Sequence, residues 1–313
     1  MNAQLPRIGI VPYDRTFPIV RGEVDGADAF NFVLSDTMDI TMGLLEQRYD
    51  AGEMSLAAFV KAKAEGYPLR AVPIFTNRKF FHQYIYVARD SEIRSLSDLK
   101  GRRLLVTMYW MTSSIWHRQI LEDEAGITPA DVEWYSLTPE RLESMVVPEG
   151  VRLELLAANA AQNGAVQALT DGVVDCFLTA ATSPELLAAR EALKRPFADL
   201  GQTQRQYYER TGIFPIVHLL VCQEDLLASD PGAADRLDAI FQESKRIAYT
   251  DLQDESRTAL PLIRTYIDDS VALFGDDPYR DGLEANRQAL ETFLHACHRQ
   301  GLTSRLVEVD ELF

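Results

Sequence analysis

The chain has 313 residues, 47% of them hydrophobic and 25% charged, which is enough to bury the cores of about two domains and excludes a disordered polymer. Its formal net charge of −16 argues against nucleic acid or an anionic membrane as a partner, although a local basic pocket can still receive a small anion. Cys176, Cys222 and Cys297 are odd in number and far apart, so they make neither a disulfide framework nor a zinc motif.

The first seven residues run straight into Ile8-Gly9-Ile10-Val11, without a basic segment followed by a long apolar one. No signal peptide is expected, no stretch is long enough to span a membrane, and the expected location is the cytoplasm. Residues 8–11 read as a buried strand. Tyr13, Asp14 and Arg15 follow it at once, where ligands sit in open α/β folds. Arg15 has the fork that grips a carboxylate, or it simply pairs with Asp14. A helix is expected over 37–48 and another over 57–65, with Ser55 in the N-cap position. The Ser55 hydroxyl and the free N–H groups behind it form either an anion receptor or an ordinary cap.

Strands follow over 69–75 and 84–88, with Arg78 and His82 between them, either facing a ligand or lying on a solvated hairpin end. Ser97–Gly101 reads as one helical turn with a glycine stop, leading into a strand at 103–106. Thr112, Ser113 and Ser114 open a helix that runs to Glu124. Three hydroxyls at a helix start suit an anion, although capping alone explains Thr112, and His117 reads as a helix-surface residue. Further expected elements are strands at 132–136, 153–156 and 174–178, and helices at 163–170 and 184–193. Residues 137–151 read as an irregular connection.

The strand 213–221 carries the least expected residue. His218 interrupts Ile213-Phe-Pro-Ile-Val-His-Leu-Leu-Val221, and an ionisable group in such a run needs a partner or a purpose. It is either a neutral core histidine or a working one. Helices are then expected at 232–252, within 256–274 and at 284–300. In the last, His295 and His298 have metal-ligand spacing but otherwise read as a solvated face, so no metal is expected. There is no GxGxxG, P-loop or HExxH motif.

This order predicts an α/β, two-lobed clamp with a ligand cleft between the lobes. One discontinuous lobe would be 1–101 plus 212–313, and the other 102–211. Tyr13–Arg15, Ser55, Arg78–His82, Thr112–Ser114 and His218 would converge on that cleft.

Several segments carry a family pattern: Tyr13-Asp-Arg-Thr16; Glu53-Met-Ser-Leu56; Pro73, Phe75, Arg78, Phe80 and His82 with Ile85-Tyr-Val87; and Asp98-Leu-Lys-Gly101. To these add Met111-Thr112 with Trp116; Arg210-Thr-Gly-Ile-Phe-Pro-Ile216 with His218; and Gly282-Leu-Glu-Ala-Asn-Arg287. Together they resemble the 4,5-dihydroxyphthalate decarboxylase family. Departures from the family pattern fall at Thr107–Trp110, Leu137–Glu140 and Thr179–Thr182; at the last of these the family pattern has an arginine, whose loss would remove one carboxylate anchor.

The resemblance implies a fold like that of type II periplasmic binding proteins. It also implies a cofactor-independent decarboxylase of a hydroxylated aromatic carboxylic acid, a small-molecule substrate. His218 or His82 would then be the proton donor, with the other polarising a phenol. Arg15 and Arg78 would hold carboxylates, with Tyr13, Asp14, Ser55, Thr112 and Ser113 assisting. The rival is a binding protein or sensor without catalysis, and a homo-oligomer stays open.

Overall fold

The structure is a computed structural model and describes residues 5–140, 146–156 and 164–313. The N-terminal four residues, part of the 137–151 connection and Asn163 lie outside the described residues. Contacts divide the chain into two compact units. The first comprises residues up to 78, 216–287 and 308–313; the second comprises 79–215 and 288–307.

The first unit is built on one five-stranded sheet of β1 (Arg7–Ile10), β2 (Asn31–Leu34), β3 (Ala51–Ser55), β4 (Leu69–Arg78) and β11 (Ile216–Gln223), in the order β2-β1-β3-β11-β4. β1 is parallel to β2 and β3, and β11 runs antiparallel to β3 and β4. The C-terminal ends of β1, β3 and β4 and the start of β11 therefore share one edge of the sheet.

The core on one side gathers Ile8, Ile10, Val72, Ile74 and Leu220 against Leu237, Ile240 and Phe241 of the helix Ala233–Gln253. The helix Thr37–Leu45, capped by the Asp36 side chain, packs tightly on β1 and β3. A Cβ on Gly52 would stand 2.6 Å from Ile40, which is why a glycine precedes Glu53 in β3.

The second unit holds a six-stranded sheet of β5 (Ile85–Ala88), β6 (Arg103–Val106), β7 (Glu133–Ser136), β8 (Arg152–Leu155), β9 (Cys176–Leu178) and β10 (Leu193–Lys194). Its order is β10-β5-β9-β6-β7-β8. Tyr86, Leu105 and Phe177 pack against Ala165, Leu169 and Leu186. The helix Thr112–Ala125 is buried throughout its first ten residues, and Gly126 ends it at φ 63°. The helix Arg287–Arg299 buries Leu290, Phe293, Leu294 and Cys297, the stripe expected from the sequence, and leaves His295 and His298 exposed.

Several sequence expectations change, and one of them is that residues 288–307, expected in the first lobe, belong to the second unit. The chain leaves the first unit at 78/79 and not near residue 101, because residues 79–101 carry β5 into the second sheet. β3 was not foreseen as a strand, nor was the helix Leu200–Thr211, which buries only Tyr207. His117 is not on a helix surface. It is wholly buried, with Nε2 3.2 Å from the Phe81 carbonyl, and burial holds its protonation down to about 3.

Candidate active site

Alternation along the strands builds the site. Residues i and i+2 of a strand share a face, and so do directly opposed residues on antiparallel neighbours. His218 lies opposite Ser55 on β3 and opposite Asn77 on β4. Glu53 precedes Ser55 by two. Glu53, Ser55, Asn77 and His218 therefore project from one face at the shared edge of the sheet, and Tyr13 arrives there from the end of β1.

The hydrogen bonds form a directed chain. Asn77 Nδ2 donates to Tyr13 Oη at 2.8 Å, and Tyr13 Oη donates to Glu53 Oε1 at 2.8 Å. His218 Nδ1 sits 2.6 Å from the same oxygen. Glu53 is wholly buried, whereas the His218 side chain keeps 15% of its surface exposed. Burial, reinforced by the Glu53 charge and hydrogen bond, drives the Tyr13 phenol far above its ordinary range, so it stays a neutral donor.

Arg15 and Arg78 turn out to brace the scaffold. Arg15 donates through Nε (2.7 Å) and Nη2 to the Thr76 carbonyl, pairs through Nη1 with the exposed Asp14, and is sandwiched between the Tyr13 and Tyr279 rings at 4.1 and 4.3 Å. Asp14 also accepts the Arg15 N–H at 2.8 Å. Arg78 is buried and donates through Nη2 to the Arg280 carbonyl (2.8 Å) and to Asn286 Oδ1. Ser55 is the N-cap residue of the helix Leu56–Ala64, as expected, though its hydroxyl makes no capping bond.

The remaining expected residues belong to the second unit. Thr112 and Ser113 are buried in the first turn of their helix, and Ser114 Oγ donates to the Met108 carbonyl at 2.7 Å. His82 is wholly buried in the turn Phe81–Tyr84. Its Nε2 lies 2.9 Å from Glu124 Oε2, and Arg210 holds the other Glu124 oxygen at 2.7 Å. Burial raises the Glu124 carboxyl, but the bonds from His82 and Arg210 outweigh it and leave it below its ordinary range.

That environment is structural, so His82 is not placed to donate a proton to a substrate. His82→Gln should lower stability by about 1–3 kcal/mol, the usual effect of losing a buried hydrogen-bond partner, while the folded protein keeps its activity; urea unfolding and an activity assay measure the two. Beside this cluster lies an open groove of about 660 Å³, lined in part by Arg94, Glu124, Phe197, Asp199 and Arg210. Its charged side chains are of mixed sign, and it offers no histidine to the solvent.

Glu53 is the residue that sequence reasoning missed. The signal was a lone acid inside Ala51-Gly-Glu-Met-Ser55, a stretch with no turn chemistry to account for it. Among the described residues, no group of three or more His, Cys, Asp or Glu has the arrangement of a metal site. No helix of the described residues is long and apolar enough to cross a membrane.

Residues 26–195 match the family model described as the phosphonate periplasmic substrate-binding protein of ABC transporters. The periplasmic aliphatic sulphonate binding protein SsuA from Escherichia coli shares the fold with a TM-score of 0.62 at 13% identity, over 100% of this chain and 92% of that one. The class is thus a type II periplasmic-binding-protein-like α/β protein.

Two relatives narrow it further. A 4,5-dihydroxyphthalate decarboxylase from Comamonas testosteroni is 34% identical over 98% of this chain and 95% of its own. One from Pseudomonas putida is 39% identical over 43% of this chain and 53% of its own. The chain belongs to the 4,5-dihydroxyphthalate decarboxylase family, and it is an enzyme of the carboxy-lyase class.

Proposed function

We propose that this enzyme removes one carboxyl group, as CO2, from a hydroxylated aromatic dicarboxylate of the 4,5-dihydroxyphthalate type, with His218 as the proton donor. The observation that carries the role of His218 is its geometry: one ring nitrogen is fixed on a buried carboxylate while the ring keeps an exposed edge. That is how a general acid is held in place.

The chemistry balances without a further reactant. A phenol oxygen para to the carboxylate pushes electron density into the ring. The His218 imidazolium gives its proton to the carbon bearing the carboxylate. The bond from that carbon to the carboxyl carbon then breaks, CO2 leaves, and the electron pair restores aromaticity. From 4,5-dihydroxyphthalate the product is 3,4-dihydroxybenzoate.

The start of the helix Leu56–Ala64 supports the same reading. Its N-cap residue Ser55 lies directly opposite His218, so a carboxylate received by the first-turn N–H groups stands beside the imidazole. With Arg15 and Arg78 braced on the protein, this helix start replaces them as the carboxylate receptor in the first unit.

The test is turnover. The purified protein is incubated with 4,5-dihydroxyphthalate, with phthalate lacking hydroxyls and with hydroxybenzoates, following CO2, product and melting temperature. CO2 is expected from the para-hydroxylated dicarboxylate and none from phthalate. A raised melting temperature without CO2 from any of them would favour a binding protein or sensor. The cytoplasmic location expected from the sequence belongs to the same proposal, and cell fractionation measures it.

A further inference from the structure

We infer that Glu53 and Tyr13 are positioning residues that together set the tautomer and the working pH range of His218, leaving Nε2 as its proton-donating atom. The inference rests on the reading of His218 as the proton donor and adds how that donor is controlled.

Glu53 Oε1 accepts two hydrogen bonds, from Tyr13 Oη at 2.8 Å and from His218 Nδ1 at 2.6 Å. A carboxylate only accepts, so Nδ1 carries a proton whenever this contact is made, and the proton that comes and goes is on Nε2. Asn77 removes the remaining ambiguity. Its Nδ2 donates to Tyr13 Oη at 2.8 Å, so the Tyr13 hydrogen is left to point at Glu53. Asn77 Nδ2 also lies 3.5 Å from His218 Nδ1. The second oxygen, Glu53 Oε2, is buried and has no hydrogen-bond partner. All the compensation for this buried charge therefore falls on the oxygen that Tyr13 and His218 share.

The other charged groups around the imidazole are engaged elsewhere. From the loop after β1, Arg15 is spent on the Thr76 carbonyl and on Asp14. From β4, Arg78 is spent on the Arg280 carbonyl and Asn286. From β3, Ser55 is uncharged. Glu53 is left as the one full charge in hydrogen-bond contact with His218 among the described residues, and Tyr13 competes for it.

The competition gives two variants opposite effects. Glu53→Gln removes the negative charge that favours the imidazolium. Tyr13→Phe removes the competing donor and leaves the carboxylate charge more fully to His218. Because the imidazolium is the proton-donating form, activity is present at lower pH and lost as pH rises.

The experiment is the pH dependence of kcat and KM for wild type and both variants with 4,5-dihydroxyphthalate, alongside thermal unfolding. For Glu53→Gln the alkaline limb of kcat should move to lower pH by about one unit or more, the scale of losing an adjacent opposite charge. Its kcat at neutral pH should fall at least about tenfold with KM little changed. For Tyr13→Phe the alkaline limb should move to higher pH. A merely structural role would lower the melting temperature and leave the limbs where they are.

Limbs coincident with wild type in both folded variants, or moved in the same direction, overturn the inference. If Glu53→Gln does not fold, Tyr13→Phe decides alone, since an unmoved or lowered limb contradicts the assignment. His218→Gln separates this failure from that of the underlying reading. If it keeps full activity, His218 is not the donor. If it is inactive while the other two limbs stay put, only the inference made here fails.

Discussion

Replacing His218 with glutamine is expected to lower kcat by about 10²–10⁴-fold while KM changes little, the scale of removing a positioned general acid. Glutamine can still offer an N–H to Glu53, but it carries no transferable proton at neutral pH. The effect should fall on the chemical step, because the carboxylate receptor proposed above is backbone at the start of the helix Leu56–Ala64, whose N-cap residue Ser55 pairs with His218. Steady-state kinetics on a variant whose melting temperature is checked first makes the measurement. A folded variant with wild-type kcat would remove the proton donor from the account.

The second large effect is expected in stability. Lys245, on the helix Ala233–Gln253, uses its three N–H donors on Asp277 Oδ2 (2.8 Å), Asp281 Oδ2 (2.7 Å) and the Tyr279 carbonyl (2.8 Å). Lys245 and Asp281 are both buried. Asp281 also accepts the Phe75 N–H at 2.7 Å, which ties the segment around residue 280 to β4. Removing one partner of a buried pair leaves the other charge uncompensated, so Lys245→Met should cost about 3–5 kcal/mol in urea unfolding.

The loss should be larger at pH 7 than at pH 5. Burial raises the Asp281 carboxyl above its ordinary value even with Lys245 present, and without the ammonium it rises further. A carboxyl raised in the folded state binds its proton more tightly there than in the unfolded chain. Its contribution is therefore most favourable at low pH and is lost as pH rises. Lys245→Met with Asp281→Asn should recover much of the stability. The same network carries Tyr279, one of the two rings that hold Arg15, so it supports the candidate site from behind.

Much of the fold was legible where periodicity was strong. β1, β4, β6 and the helix Thr112–Ala125 follow plain apolar patterns and sit where they were expected. β3 was not legible. Its residues Ala51–Met54 are buried on both faces, so it shows no polar alternation, and its glycine and glutamate are there for close packing and for the site, which blurs the strand signal. The helix Leu200–Thr211 was hidden because only Tyr207 faces inwards.

The site was half legible. His218 stood out as a histidine in an apolar strand, and the strand does place it beside a buried acid. Glu53 gave only the weak signal of a lone acid, because its partner lies 165 residues away and only the β3–β11 register brings the two together. Arg15, Arg78 and His82, expected to face a ligand, are held by the protein's own carbonyls and carboxylates. A buried arginine or histidine in a motif looks the same in sequence whether it meets a ligand or a carbonyl.

The central claim is protonation of the carbon that loses its carboxylate. The most direct test is turnover of 4,5-dihydroxyphthalate in D2O, with CO2 counted and the product read by NMR. The account predicts one CO2 per 3,4-dihydroxybenzoate, with one deuterium on the vacated ring carbon. Saturable binding with the dicarboxylate recovered unchanged, or CO2 release without deuterium at that carbon, would contradict it.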